Sequence, residues 1–183
     1  TQYGLDVIIA GRHAEKAQAL CDTLPKGLTK AAAFDIQQDM QAALHRLAPK
    51  VVINTCGPFQ NADYKVAEHC INAGVHYIDL ADGRDFVTAI ARLNDKAKAH
   101  DTLVISGAST VPGLSSAVLT KYAPDFEQIE KLRFGISPGQ KAERGLATTQ
   151  GIMSYVGRPL HPPLGRSIRR YGWQDIHRQA YPG

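Results

Sequence analysis

The chain has 183 residues, enough for one domain or for one domain and part of another. Hydrophobic residues make up 44% of it, a typical globular value, and no run approaches the 18 apolar residues of a membrane span. Residues 1–132 hold 13 Lys and Arg against 15 Asp and Glu, whereas residues 133–183 hold 8 against 2. This basic end fits a solvated face, an anionic ligand or a nucleic-acid surface. No nucleic-acid-binding motif accompanies it, so we expect no nucleic-acid partner.

The N-terminus and the cysteines favour a cytoplasmic protein. TQYGLDVIIAGR lacks the basic region of a secretory signal, and no initiator Met precedes it, so we expect the true start to be missing. Cys21, Cys56 and Cys70 are odd in number and lack C-x-x-C spacing, which predicts buried reduced thiols. A metal site formed by Cys56, His69, Cys70 and His76 is disfavoured, because their spacing matches no usual zinc pattern. We therefore predict no metal.

Short apolar runs alternate with helical segments as far as residue 122. Strands are predicted near Val7–Ala10, Ala31–Phe34, Val51–Asn54, Tyr77–Asp79 and Leu103–Ser106. Between and after them the pattern predicts helices over residues 14–24, 40–47, 64–73, 86–100 and 112–122. This alternation predicts an α/β domain over residues 1–122, with all five strands parallel and in one sheet.

Pro124 ends the alternation. Residues 129–136 alternate apolar and polar side chains, which predicts a strand with one solvated face, and residues 144–156 predict a helix. We therefore expect residues 123–183 to be the start of a second, α+β domain that is cut short. A homodimer formed through this second domain is left open.

The stretch from Val51 to Leu80 carries the most specific pattern. A buried strand is followed by NTCGPF, then by a helix with HC near its end, and then by AGVHYIDL. This pattern resembles the saccharopine dehydrogenase-like NAD(P)-binding family. The resemblance extends from about Leu5 to the end of the chain and is strongest in the middle.

The resemblance implies a fold, a cofactor and a reaction class. The fold is a Rossmann-type doubly wound parallel sheet, and the cofactor is NADP, with NAD as the other option. The reaction is hydride transfer to or from a carbon that bears nitrogen or oxygen, with a small-molecule substrate and no membrane partner. A non-catalytic NAD(P)-binding protein that senses redox state is the alternative.

A G-x-G-x-x-G loop, which holds the pyrophosphate in such domains, does not occur in the chain. In the family, the strand that ends in AGR is the second strand, and the glycine loop lies about thirty residues earlier. We therefore expect the chain to be a fragment that lacks the first strand–helix unit. That strand is central in the 3-2-1-4-5-6 order, so its absence would leave a gap between the neighbouring strands.

Candidate cofactor contacts follow the first two predicted strands. Gly11 and Arg12 stand where a dinucleotide-binding domain holds the adenosine ribose. A guanidinium there suits a 2′-phosphate, although an exposed arginine at a helix start is the plain alternative. Asp35 ends the next strand, where it can accept a hydrogen bond from the adenine amino group or cap the helix that follows.

Further candidates follow the third and fourth strands. By the family resemblance, Asn54 to Phe59 lie beside the ribose and nicotinamide: Asn54 and Thr55 bind hydroxyls, Gly57 allows close approach, and Phe59 covers the ring or is a core aromatic. Cys56 lies in the same loop, where we expect inert packing rather than a nucleophile. Asp79 is the candidate catalytic residue, which orients substrate or relays a proton. The alternatives for Asp79 are a helix N-cap and a partner for Arg84.

Overall fold

The fold is described from a computed structural model, which covers residues 4–25, 27–130, 132, 134–136, 141, 145–160 and 170–174. In chain order the elements are β1 (Val7–Gly11), α1 (Ala14–Asp22), β2 (Thr29–Ala33), α2 (Met40–Leu47), β3 (Val51–Asn54), α3 (Lys65–Asn72), β4 (His76–Asp79), α4 (Arg84–Ala89), α5 (Asn94–Ala99), β5 (Val104–Ile105), α6 (Ser115–Tyr122), α7 (Leu146–Met153), β6 (Pro159–Leu160) and β7 (Arg170–Tyr171). Over these ranges, each helix is too short or too polar to cross a membrane.

The first two strands form a parallel pair. Val7 of β1 lies opposite Thr29 of β2, and the register continues without a bulge to Gly11 opposite Ala33. Helix α1 connects the two strands and packs against both of them, with Ala17 buried on its inner face. This is the strand–helix–strand unit that the apolar pattern predicts.

A second sheet has the strand order β3-β4-β5. The His76 N–H donates to the Lys50 carbonyl at 3.1 Å, and the Leu80 N–H donates to the Asn54 carbonyl at 3.4 Å. Both partners therefore advance by four residues in the same direction, so β3 and β4 are parallel. Strand β5 joins through a bond from the Tyr77 N–H to a carbonyl at its start. The predicted α/β class with parallel sheets is confirmed.

The expectation of one five-stranded sheet is wrong for the described residues, because the strands divide into β1-β2 and β3-β4-β5. No backbone pairing joins β1 to β3 in these two sheets. In the 3-2-1-4-5-6 order, β1 and β3 are the neighbours of the first strand on its two sides. The break therefore falls at the position where the sequence predicts a gap. Val51 and Ile53 of β3 are 42% and 61% exposed beside it.

The long helix predicted over residues 86–100 is divided. Helix α4 ends at Ala89, a 3₁₀ turn covers Ile90–Leu93, and α5 follows. The Arg92 guanidinium lies 4.1 Å from the centre of the Tyr64 ring, a cation–π contact that stabilises the tighter turn. Helix α3 ends as predicted, because Gly74 follows it with a φ of +67°, and such left-handed geometry favours glycine.

The predicted elements beyond residue 123 are less regular than the pattern suggests. Residues 129, 130, 132 and 134–136, the described part of the predicted strand, are not in a strand. A one-sided strand needs a neighbour for its backbone groups, and none pairs with these residues in the described sheets. Helix α7 confirms the centre of the helix predicted over residues 144–156. The proposed domain boundary at residue 122 stays a prediction.

The chain divides into two compact units. The first contains Thr1–Ile53, Asp63–Ile78 and Arg92–Val104, and the second contains Asn54–Ala62, Asp79–Ala91 and Ile105–Gly183. In the first unit α2 packs against α3, and the buried side chains include Leu44, Ala67, Cys70, Ile71 and Tyr77. In the second unit they include Phe59, Asp79, Ala81 and Phe86.

The cysteines differ in their surroundings. Cys21 and Cys70 are buried, as expected, but Cys56 is exposed in the loop after β3, which corrects the expectation of inert packing for that residue. None of the three is in a disulfide. Burial raises the pKa of the Cys70 thiol to about 12, because a thiolate loses its hydration in an apolar environment.

We expect iodoacetamide to modify Cys56 in the folded protein and to spare Cys70. Because burial raises the pKa of the Cys70 thiol, that thiol stays protonated at pH 8, and the thiolate is the reactive form. Mass spectrometry of tryptic peptides measures the modification, and a Cys56→Ser variant is the control. Equal modification of Cys56 and Cys70 in folded protein would contradict the burial of Cys70.

The free energy of unfolding should also fall as pH rises above about 9, because the Cys70 thiol then releases its proton in the unfolded chain but not in the folded one.

Candidate functional site

Polar residues follow each strand of the β3-β4-β5 sheet at its carboxyl end. Asn54 ends β3, Asp79 ends β4, and Ser106 comes directly after β5. Parallel strands end at the same edge of a sheet, which is where α/β proteins bind ligands. The loops that begin at these residues all belong to the second compact unit. They are therefore the candidate site.

Asn54 closes the loop that it begins. Its side chain is 9% exposed, and its Oδ1 accepts a hydrogen bond from the Cys56 N–H at 3.0 Å. A further backbone bond, from the Gly57 N–H to the Thr55 carbonyl, tightens the same turn. The Asn54 oxygen thus shapes the loop, and its predicted bond to a ribose hydroxyl stays a prediction. Thr55 is exposed.

The other two candidates in this loop are Gly57 and Phe59. A Cβ at Gly57 would lie 3.7 Å from the Phe59 ring, which is ordinary contact, so space alone does not demand glycine here. Phe59 is buried, and its ring centre lies 5.3 Å from that of Phe86, with the rings inclined at 57°. This tilted pair is a favourable aromatic arrangement and places Phe59 in the core of the second unit.

Asp79 connects two loops. Its side chain is completely buried, and its Oδ1 accepts from the Ala81 N–H at 3.0 Å, the Ser106 hydroxyl at 2.8 Å and the Gly107 N–H at 2.9 Å. Its backbone carbonyl accepts from the Ala108 N–H at 2.9 Å. Three donors to one oxygen compensate for the water that the carboxylate loses on burial.

The structure does not support the helix N-cap alternative for Asp79, and a partnership with Arg84 stays a prediction. Gly83 is the N-cap residue of α4, so Asp79 does not cap that helix. The second carboxylate oxygen, Oδ2, is buried and has no hydrogen-bond partner in the described part of the chain. Because the side chain is 0% exposed, a dissolved substrate cannot touch it in this conformation. Proton relay by Asp79 stays a prediction that this burial does not favour.

The loop after β5 folds tightly around Gly107, which has a φ of +78°. A Cβ there would lie 2.9 Å from Cγ of Pro112, and a Cβ on Gly113 would lie 2.9 Å from the Gly107 carbonyl oxygen. Only glycine suits such approaches. Sequence reasoning missed Ser106 and Gly107 as functional residues. A serine–glycine pair directly after a short strand is the signal that could identify them.

A polar cluster lies beside these loops. Gln60 donates from Nε2 to Oδ1 of Asp82 at 3.0 Å, and the Arg84 N–H donates to the Tyr155 hydroxyl at 3.4 Å. A Cβ on Gly151 of α7 would lie 3.2 Å from the Gln60 Oε1, so the helix passes close to that amide. Sequence reasoning missed this cluster, because its two hydrogen-bonded pairs are 22 and 71 positions apart and no short motif connects them.

The candidates after β1 and β2 belong to the first unit. Gly11 is the last residue of β1, and Arg12 is exposed directly after it. His13 Nδ1 lies 3.5 Å from a Glu15 carboxylate oxygen. The Asp35 carboxylate accepts from the Gln37 N–H at 2.9 Å, so it closes a local turn, and Asp39 rather than Asp35 occupies the N-cap position of α2.

No metal cluster is formed by the described side chains, since no three His, Cys, Asp or Glu residues in those ranges are suitably grouped. His76 has a different role. Its Nδ1 accepts a hydrogen bond from the Leu103 N–H at 3.1 Å, which satisfies a backbone donor at the start of β5.

Residues 1–108 match a family described as the saccharopine dehydrogenase NADP binding domain. The match covers more than half of the chain and includes β1 to β5. No curated protein matches the chain. The family match agrees with the resemblance seen in the sequence and with NADP as the cofactor.

Gly107→Ala is expected to lower the free energy of unfolding by about 2–4 kcal/mol, because backbone strain adds to the clash with Pro112. Gly74→Ala is the matched control. Its φ is also positive, but a Cβ there meets nothing within 4 Å, so the expected loss is about 1 kcal/mol. Urea denaturation measures both. Equal losses for the two variants would show that the Gly107 loop is not packed as described.

Proposed function

Because the chain belongs to the saccharopine dehydrogenase NADP-binding domain family, we propose that it is part of an NADP-dependent oxidoreductase. The reaction is hydride transfer to or from a carbon that bears nitrogen or oxygen. The single observation that carries the proposal is the family match over residues 1–108, since this domain binds the cofactor that such a reaction uses.

Arg12 supports the choice of NADP over NAD. It is exposed at the carboxyl end of β1, the position at which dinucleotide-binding domains recognise the adenosine ribose. A carboxylate at that position would bind the two ribose hydroxyls of NAD, but a guanidinium forms bidentate bonds to a phosphate. The residue present therefore fits the 2′-phosphate of NADP.

The loops at the ends of β3 and β4 supply the remaining chemistry of the proposal. NADP, when bound, supplies or accepts the hydride. Thr55 is an exposed residue whose hydroxyl suits a sugar hydroxyl, and Gly57 is exposed in the same loop. The side chains of Asn54 and Asp79 fix these loops by accepting hydrogen bonds from backbone N–H groups.

One observation favours the alternative, a cofactor-binding protein that senses redox state. Asp79, the catalytic candidate, is completely buried, so hydride transfer would need another group to exchange a proton with the substrate. Steady-state assays with NADPH and a panel of keto acids, aldehydes and imines separate the two functions. Turnover supports the oxidoreductase. Cofactor binding without turnover over the whole panel supports the sensor.

Arg12→Glu in the complete protein is expected to weaken NADPH far more than NADH. Loss of a charge-assisted hydrogen bond costs about 1.5–3 kcal/mol, which corresponds to a rise in Kd of about tenfold to a hundredfold. Calorimetric titration of both cofactors measures the change. Arg46→Glu is the matched control, since Arg46 is an exposed arginine near the end of α2. An equal loss for NADPH and NADH, or no loss for either, would refute the role of Arg12.

A further inference from the structure

Asp79 is the point at which two loops of the candidate site are held together. Its Oδ1 takes a donor from the loop after β4, Ala81, and two donors from the loop after β5, Ser106 and Gly107. The residue is 0% exposed. We propose that Asp79 is a positioning residue, which sets the two loops for the nicotinamide end of NADP and does not itself touch the substrate.

The energetics favour a fixed arrangement over a mobile one. Removing a partner from a buried N–H group costs more than the bond itself contributes, because the group cannot turn to water. Two such N–H groups, on Ala81 and Gly107, depend on one Asp79 oxygen. The Gly107 backbone also holds a left-handed φ against Pro112. Such a conformation persists only where surrounding contacts hold it in place. The hydrogen bond from the Gly107 N–H to the Asp79 carboxylate is one of these contacts.

The same carboxylate explains why the loop lies at the end of the sheet and not away from it. The Asp79 carbonyl accepts from the Ala108 N–H, so backbone and side chain of one residue hold three successive residues, 106–108. Ser109 and Thr110 follow directly, with hydroxyls that suit an amide or a sugar. Positioning these groups within a few tenths of an ångström is what a bound nicotinamide requires.

Three variants test the positioning role of Asp79. Only the identity of the ligand, NADP, rests on the proposed function. Asp79→Asn keeps Oδ1 as acceptor and replaces Oδ2, which has no partner in the described chain, so it is the conservative variant. Asp79→Ala removes all three bonds, and Ser106→Ala removes one. Asp85→Asn is the control, because Asp85 is an exposed carboxylate in the first turn of α4.

The ligand probes are NADPH and 2′,5′-ADP, which carries the phosphate but no nicotinamide. We expect the affinity for 2′,5′-ADP to stay within twofold of wild type in every variant. The Kd for NADPH should rise at least fivefold in Asp79→Ala, and the rise in nicotinamide fluorescence on binding should be lost. Asp79→Asn should restore most of both signals, and Asp85→Asn should match wild type. Equal weakening of both probes, or of neither, would overturn the proposal.

Hydrogen exchange decides the positioning role without any ligand. We expect the amides of Ala81 and Gly107 to exchange at least tenfold faster in Asp79→Ala than in wild type. Ser106→Ala should speed exchange only in the loop after β5. If Asp79→Ala does not fold, Ser106→Ala tests the second loop alone, and Asp79→Asn, which keeps the Oδ1 acceptor, is expected to exchange as wild type does. Unchanged exchange in all three variants refutes the inference. If wild type binds neither probe while the amides respond as expected, the proposed function fails and the positioning role of Asp79 stands.

Discussion

Two loops of the second unit converge on one buried carboxyl group, that of Asp79. A carboxylate in an apolar interior is costly unless donors replace its hydration, and Asp79 obtains its donors from two loops at once. The loops in turn have no regular secondary structure to satisfy their N–H groups. The loop N–H groups supply the donors that the carboxylate needs, and the carboxylate supplies the acceptor that the N–H groups need. These hydrogen bonds give the irregular backbone a defined conformation beside a short sheet.

The strands and their direction could be predicted from the sequence because they depend on local pattern. A run such as Val51-Val52-Ile53 is β-branched and too short for a helix, and it is a strand in the structure. The division of the predicted long helix could not be read in this way. At the break, Arg92 contacts the ring of Tyr64, a residue 28 positions earlier, and the apolar spacing contains no sign of this contact.

The sequence predicted where the site residues lie in the fold better than it predicted what their side chains do. Asn54 and Asp79 are indeed at the ends of adjacent strands, as the alternation of elements indicates. The Asn54 side chain, however, binds the backbone of its own loop, and the Asp79 side chain binds donors in two loops. Sequence spacing does not show which way a polar group points. Phe59 illustrates the same limit, since ring stacking on a cofactor and packing on Phe86 require the same residue type.

The contact between Gly107 and Pro112 has a consequence for the history of this loop. A side chain at position 107 would enter the space of the proline ring and would have to adopt a left-handed φ, so position 107 accepts only glycine while this backbone and Pro112 are kept. Natural variation should therefore keep glycine at position 107 wherever the proline is kept. A relative that has lost this proline is the one in which a larger residue at position 107 becomes tolerable, and its loop will have taken a different path.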